Sequence, residues 1–462
     1  MNLSHAILYA DIKAVEKELI TSENINYVDE YGYTPLIQTA IVNSTEKAKL
    51  LLKKGADTNQ KDVTGRTALH WAVSNCNTEL CKLLLEHDAN PNLYTIASEP
   101  ILTKAILRGE NELKRLLAEH GASYQFANDY INAKLLGHRY ELIGSVDIVD
   151  PEGVFTEVDY EGFYMDSSID LIYYSLQEFQ KNYAARAISS WFNDIETITK
   201  TLNRCQNFLQ HDHYLADKDK QRNAAQKLID HKNFIIPISQ EGHAFSVIKY
   251  GNLIAIIDRA KISPPADIIP IYFMNRPSNL NAQLIQHIAY EKQPIKYIHS
   301  ILKKQLGLQS IEELPISDQT IGNCSWANIE AIIPTLKFMM NLNSKGTESN
   351  KDELLADSFE LFHRWRDFDS ERALHFITQE FKKASTARKA SMAALLAAIV
   401  FQRCSADDER HYELAKELLP MIMHKGFEYI IESYKQFYVY SKPTKAGENF
   451  IRIIERYKKE VL

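Results

Sequence analysis

Gly65-Arg66-Thr67-Ala68-Leu69-His70-Trp71-Ala72 repeats, 33 positions on, the pattern of Gly32-Tyr33-Thr34-Pro35-Leu36-Ile37-Gln38-Thr39. The same period aligns Ala6, Thr39, Ala72 and Ala105 in a column of small residues, and Leu50, Leu83 and Leu116 in an apolar one. Asn26, Asn59 and Asn92 form a third column, and Gly55 matches Gly121 with Asp88 between them. A fixed period of this length means stacked supersecondary units, none able to bury its apolar face alone. Thr34 and Thr67 suit helix N-caps, and Pro35 suits a first turn whose N–H needs no intrahelical acceptor. Small residues let paired helices approach, the leucines bury the second helix, and Gly55 and Gly121 permit a left-handed C-cap. Four units fit, at about 1–27, 28–60, 61–93 and 94–126.

The pattern T-P-L-x-x-A, nearly met by Thr34-Pro35-Leu36 and by Thr67 through Ala72, resembles the ankyrin repeat. The resemblance implies an all-α ankyrin solenoid that holds another protein. Its hairpin tips, near Asp29–Tyr33, Asp62–Arg66 and Tyr94–Glu99, are the expected contact surface, with Tyr31, Tyr33, Arg66 and Tyr94 as partner-binding residues. His70 is expected to be structural. Cys76 and Cys81 lack His or Cys partners nearby, and no metal site is expected.

At 462 residues the chain is too long for one ordinary core. Its net charge of −7 gives no global basic field, so neither direct nucleic-acid binding nor an anionic membrane is expected. The odd set of five cysteines has no disulfide-framework spacing and points to a reducing compartment. The amino-terminal apolar run is interrupted by charges, unlike a secretory signal. Ala393–Phe401, the longest apolar run, falls far short of the roughly 20 residues of a spanning helix. The expectation is a soluble protein of the cytosol or nucleus.

After Gln125 the period stops. Residues 141–165 carry short β-like runs, and helical patterns follow at about 167–182, 184–207 and 215–231. Phe234–Ile238 reads as a strand with Pro237 at an edge or end. Next, two apolar runs flank Gly251-Asn252, a two-residue hairpin turn of the primed type. Paired positions then sum to 503, which sets Phe245 opposite Asp258 and makes His243 a diagonal neighbour of Asp258 on one face. A His oriented by an acid is the pairing a catalytic base requires. Further on, Cys324 opens a helix whose Trp326, Ile329, Ile332 and Ile333 share a face. A helix amino end favours the thiolate, and Gln319, five residues upstream, could donate to an oxyanion. His211-Asp212-His213 is read as a solvated loop, because a two-residue spacing cannot share one helix face. With no P-loop and no G-x-G-x-x-G, no cofactor is expected.

The order His243, Asp258, Gln319, Cys324 resembles the cysteine peptidases that process ubiquitin and ubiquitin-like proteins, together with related bacterial effector proteases and acetyltransferases. The resemblance spans roughly 230–340 and implies an α+β papain-like cysteine-protease fold. By role, His243 would be the general base, Asp258 its orienter, Gln319 the oxyanion donor and Cys324 the nucleophile. Ala244, Arg259 and Ser325 depart from the family's usual aromatic, small residue and glycine at those positions. A catalytically silent scaffold and an acyltransferase with the same triad are the alternative readings.

Residues 341–351 are polar and breaker-rich, a linker pattern, and helical patterning runs from there to the end. The basic run from Lys382 to Lys389 is read as a solvated helix face. The expected organisation is 1–126 as four ankyrin repeats, 127–345 as the cysteine-protease-like domain and 346–462 as a helical domain. Over its full length the chain resembles the ankyrin-repeat effectors that Legionella delivers into host cells by type IV secretion. That implies a host protein as partner and the host cytosol or nucleus as place of action.

Overall fold

The structure is a computed structural model describing residues 2–22, 24–161, 164–182, 189–210, 217–240, 243–259, 267–291, 293–316, 324–346 and 350–461. Gln319 and the His211-Asp212-His213 sequence lie outside the described residues. Two compact units are present, Met1–Ile96 with Ile101–Ala122 and Gly162–Asp369, and Ala97–Pro100 with Ser123–Glu161 and Ser370–Leu462. Residues 123–161 therefore belong with the carboxy-terminal helices, and the solenoid shares a unit with the segment that carries the cysteine.

The first unit opens with four helix pairs: α1 (Leu3–Tyr9) and α2 (Ile12–Thr21), α3 (Pro35–Ile41) and α4 (Thr45–Lys53), α5 (Ala68–Ser74) and α6 (Thr78–Leu85), α7 (Ile101–Leu107) and α8 (Asn111–Glu119). The columns read from the sequence acquire their reasons here. Thr34 Oγ1 accepts from Ile37 N at 3.2 Å, and Pro35 starts α3. At the same place in the next repeat His70 Nδ1 accepts from Thr67 N at 3.0 Å, so His70 serves as a cap. The asparagine column ties repeat to repeat: Asn26 Oδ1 accepts from Asp57 N, and Asn59 Oδ1 from Asn90 N. Gly55 and Gly121 take positive φ, as does Asp88 between them. At the tips Val63 N donates to Tyr31 O and Ile96 N to Thr64 O, which zips successive hairpins together. Gly65 sits at φ 79° in that zipper, where a Cβ would meet Ile96 N at 2.7 Å, and only glycine fits.

The rest of the unit is α+β. Its helices α10 (Met165–Lys181), α11 (Phe192–Leu209) and α12 (Lys218–Ile229) lead into an antiparallel five-stranded meander. The strands are β3 (Asn233–Gln240), β4 (His243–Tyr250), β5 (Leu253–Ile257), β6 (Ile268–Met274) and β7 (Leu308–Pro315), in sheet order 3-4-5-6-7. Helices α13 (Ala282–Tyr290) and α14 (Ile295–Leu306) lie between β6 and β7 in the chain. Alternate residues Phe234, Ile236 and Ile238 of β3, Phe245 and Val247 of β4, and Ile254 and Ile256 of β5 share a core with Ile285, Ile288, Ile298 and Leu302 of these helices. The helices α15 (Cys324–Glu330) and α16 (Ile332–Lys345) pack on β4. Since α16 runs to Lys345 and α17 (Lys351–Lys383) begins at Lys351, half of the expected linker is helix.

The second unit contains α9 (Tyr124–Arg139), the hairpin β1 (Ser145–Val149) and β2 (Phe155–Asp159), and the part of α17 from Ser370. Helices α18 (Thr386–Arg403), α19 (Glu409–Ile422), α20 (Glu428–Lys435) and α21 (Lys445–Val461) complete it. Its basic run is divided. Lys382 and Lys383 are exposed, as a solvated face requires, but Arg388 is buried in a bidentate pair with Asp129 at 2.7 and 2.8 Å. A guanidinium fork tolerates burial only with such a partner.

Candidate functional site

The β4–β5 hairpin has the register its turn dictates, with Tyr250 opposite Leu253 and Ser246 opposite Ile257. Gly251 takes φ 59° at the turn. Beyond the last paired position the chains diverge. His243 at the start of β4 and Asp258 after the end of β5 meet there, His243 Nε2 lying 2.9 Å from Asp258 Oδ1. Both side chains are nearly excluded from water, at 10% and 4% exposure. The His243 ring stacks on Phe245, with centroids 6.1 Å apart.

Cys324 is the first residue of α15, and its thiol lies beside the His243 ring, close enough for each to shift the other's pKa. With Asp258 on Nε2, Nδ1 is the ring nitrogen left for the sulfur. His243 thus stands between a carboxylate and a thiol. Interaction with His243 is the main cause holding the Cys324 thiol below its ordinary range; burial opposes it, and the amides of Ala244 and Ser325 assist. Burial alone would depress the His243 pKa, but its interactions with Asp258 and Cys324 outweigh this and raise it to about 9. Both shifts run in the direction of a thiolate–imidazolium pair.

Two residues escaped the sequence reading. Asn328, fully buried one turn along α15, donates to Ala244 O through Nδ2 and accepts from Arg259 N through Oδ1 at 2.8 Å. Arg259 Nη1 also donates to Ala327 O at 3.1 Å. One amide therefore latches the cysteine helix to the residue after the histidine and to the residue after the aspartate. An asparagine on the buried face of a short apolar helix was the available signal, since Asn is a poor helix former that needs such partners. His299 of α14 is the second, its Nε2 3.8 Å from Asp258 Oδ2. Burial first of all keeps the His299 pKa low, which leaves the carboxylate to His243.

Replacing Asn328 with Ala should cost about 1–3 kcal/mol, the range for buried groups stripped of a partner. It should also slow alkylation of Cys324 by loosening its distance to His243. Urea unfolding and labelling kinetics read the two effects. A variant with wild-type stability and wild-type labelling would remove Asn328 from this role.

The predicted tip residues are distributed unevenly. Tyr31 is exposed and Tyr94 half-buried under Lys61, whose ammonium lies 5.2 Å from its ring. Tyr33 is buried, packed edge-on against Trp71 at 6.1 Å. Arg66 faces Trp71 and Tyr164 and reaches Asp166 at 3.8 Å. Both are turned inward within their own unit, so the expected free contact surface does not include them. Val63 and Ile96, exposed at 61% and 72%, stand at the tips instead.

Among known proteins, a family model for ankyrin repeats matches residues 3–95 in three copies. The solved structure of the Legionella effector AnkH superposes with a TM-score of 0.91 at 35% sequence identity, covering 99% of this chain and 97% of that one. The chain belongs to the AnkH family. Its ankyrin repeats are protein-interaction modules, and among the described residues no helix is long and apolar enough to cross a membrane.

Proposed function

We propose that this chain is a secreted bacterial effector that captures a host protein through its ankyrin repeats and acts on it, or on a ubiquitin-like conjugate, as a papain-like cysteine peptidase. The observation that carries the reading is His243 held at 2.9 Å by Asp258 on one side with the Cys324 thiol beside its ring. His243 takes the thiol proton, and the Cys324 sulfur attacks the scissile carbonyl carbon. The imidazolium returns that proton to the leaving amine as the C–N bond breaks. Water, deprotonated by His243, then hydrolyses the thioester and frees the thiol. Amides of Ala244 and Ser325 beside the sulfur support charge that develops there. Gln319 is proposed as a further oxyanion donor. Delivery by type IV secretion and action in the host cytosol or nucleus complete the proposal, which rests here on kinship with AnkH.

The test is intact-mass and peptide-library analysis of wild type against Cys324→Ala. An acyl-enzyme on Cys324, or cleavage lost in the variant, supports the reading. With neither product from any peptide or ubiquitin-like substrate, the domain is a binding scaffold.

Capture is tested separately. Tyr31, Val63 and Ile96 expose apolar surface along the zipped tips. Changing all three to Ser should weaken partner retention about tenfold or more, because a few apolar anchors dominate such interfaces. The melting temperature should stay close to wild type. Unchanged retention would place the contact surface elsewhere on the solenoid.

A further inference from the structure

The net charge of −7 conceals one concentrated basic feature. A groove of about 490 Å³ runs between α11 and α12. Arg204 lines it from α11, Lys220 and Lys227 from α12, and His231 from the turn before β3. Lys220, Asn223 and Lys227 recur at helical spacing, so they share one face of α12, and Asn207 adds a second amide from α11. Among the described lining residues there is no carboxylate.

Arg204 is held in place by neutral acceptors. Its Nη1 donates to Asn233 O at 3.2 Å and to Asn233 Oδ1 at 3.4 Å, and Asn233 Nδ2 is fixed in turn by Thr201 Oγ1. Among the described residues no carboxylate pairs with it, so its charge is turned to the groove. The field extends to α4: burial lowers the Lys47 pKa, and the charge of Lys220 lowers it further. Like charges gathered without a counter-ion repel, and an anion between them turns that repulsion into attraction.

We propose that this groove binds a small, multiply phosphorylated anion, either free or as a lipid headgroup. Two lysines and an arginine call for at least two negative charges, which a single carboxylate lacks. A fixed guanidinium matches phosphate oxygens bidentately, and lysine ammonium groups serve as point charges around them. A single nucleic-acid strand fits less well, because Phe208, the aromatic residue of the groove floor, is buried and offers no stacking platform. The proposal is independent of Cys324 chemistry, and its test uses no turnover.

Full-length protein is titrated calorimetrically at low ionic strength with inositol hexakisphosphate and, separately, with tripolyphosphate. It is also co-sedimented with phosphatidylcholine vesicles with and without phosphatidylinositol bisphosphate. Saturable binding of at least one phosphorylated probe is expected, and the arm that binds tells whether the source is soluble or lipid. Lys220→Gln with Lys227→Gln should weaken it about tenfold or more, since both lost charges border the site. Lys382→Gln with Lys383→Gln removes equal charge from an exposed pair elsewhere and should change affinity less than about twofold. All four lysines are exposed helix positions, and melting curves verify that both variants fold. Failure of every probe to bind, an unaffected groove variant, or an equal loss in the control pair would each overturn the proposal.

Discussion

At pH 6.5 iodoacetamide should label Cys324 before the other four cysteines, and His243→Ala should slow that labelling about 10- to 100-fold. The reactive species is the thiolate, and a thiol returned to an ordinary pKa of about 8.5 is roughly 1% ionised at this pH. Cys324 keeps more thiolate because interaction with His243 holds its pKa down. The other four sit in the opposite situation: burial raises Cys76, Cys81 and Cys205, and pushes Cys404 up to about 12. Asp258→Asn should slow labelling less, since it weakens the orientation and charge of the imidazole but leaves the ring. Peptide-resolved mass spectrometry of time points reads all five sites at once. If Cys324 labels no faster than Cys205 or Cys404, the thiolate–imidazolium pair does not form and the peptidase reading falls with it.

The pH dependence follows from the directions of the two shifts. A thiol lowered from its ordinary range gains reactivity as pH rises through that lowered value. The imidazolium raised to about 9 is lost as pH rises through 9, and with it the proton for the leaving amine. Turnover should therefore be bell-shaped, while alkylation, which needs no general acid, should not fall on the alkaline side. For stability, the raised histidine contributes fully below its unfolded value of about 6.5 and loses that contribution as pH climbs through 9. The lowered thiol contributes above its unfolded value and loses it as pH falls through the folded one.

The parts legible in the sequence are those where a residue's job is local. Thr34, Pro35 and Gly65 act on their own turns, so the 33-residue period declares the solenoid directly. The Gly251-Asn252 turn dictates the pairing that brings His243 to Asp258, a long-range fact written in a short-range signal. Where the partner lies far along the chain, the local pattern misleads. Arg388 looks like one more solvated cation until Asp129, 259 residues away, takes its guanidinium. Tyr33 and Arg66 look like exposed tips, yet Trp71, Tyr164 and Asp166 enclose them. Strand β7, with Glu312 and Glu313 on a sheet edge, carries too little apolar alternation to announce itself.

Asp170→Ala should destabilise the first unit by about 3–5 kcal/mol, the range for removing one partner of a buried ion network. Asp170 of α10 is fully buried and receives Lys104 Nζ at 3.3 Å, Arg108 Nε at 3.1 Å and Gln206 Nε2 at 2.7 Å. Lys104 also holds Asp166 at 2.6 Å, and Arg108 Nη1 donates to Ser74 O at 2.6 Å. Lys104 and Arg108 belong to α7, the first helix of the fourth repeat, so these bonds join the solenoid to the helices beside the sheet. Removing the carboxylate leaves Arg108 buried without its anion and takes one of the two carboxylates from Lys104. Burial tends to raise the Asp166 pKa, but Lys104, Arg66 and Arg108 hold it well below the usual carboxylate range, so it remains an anion in the variant. Asp166 reaches Lys104 at 2.6 Å and Arg66 at 3.8 Å, whereas the Arg108 Nε bond is made to Asp170 and is lost with it. Urea unfolding at neutral pH measures the loss, and hydrogen exchange should show α7 and α10 opening together. Moderate salt should not restore stability, because buried pairs are screened far less than surface ones. A loss below about 1 kcal/mol, the level of a surface pair, would mean that apolar packing and not this network joins the two parts.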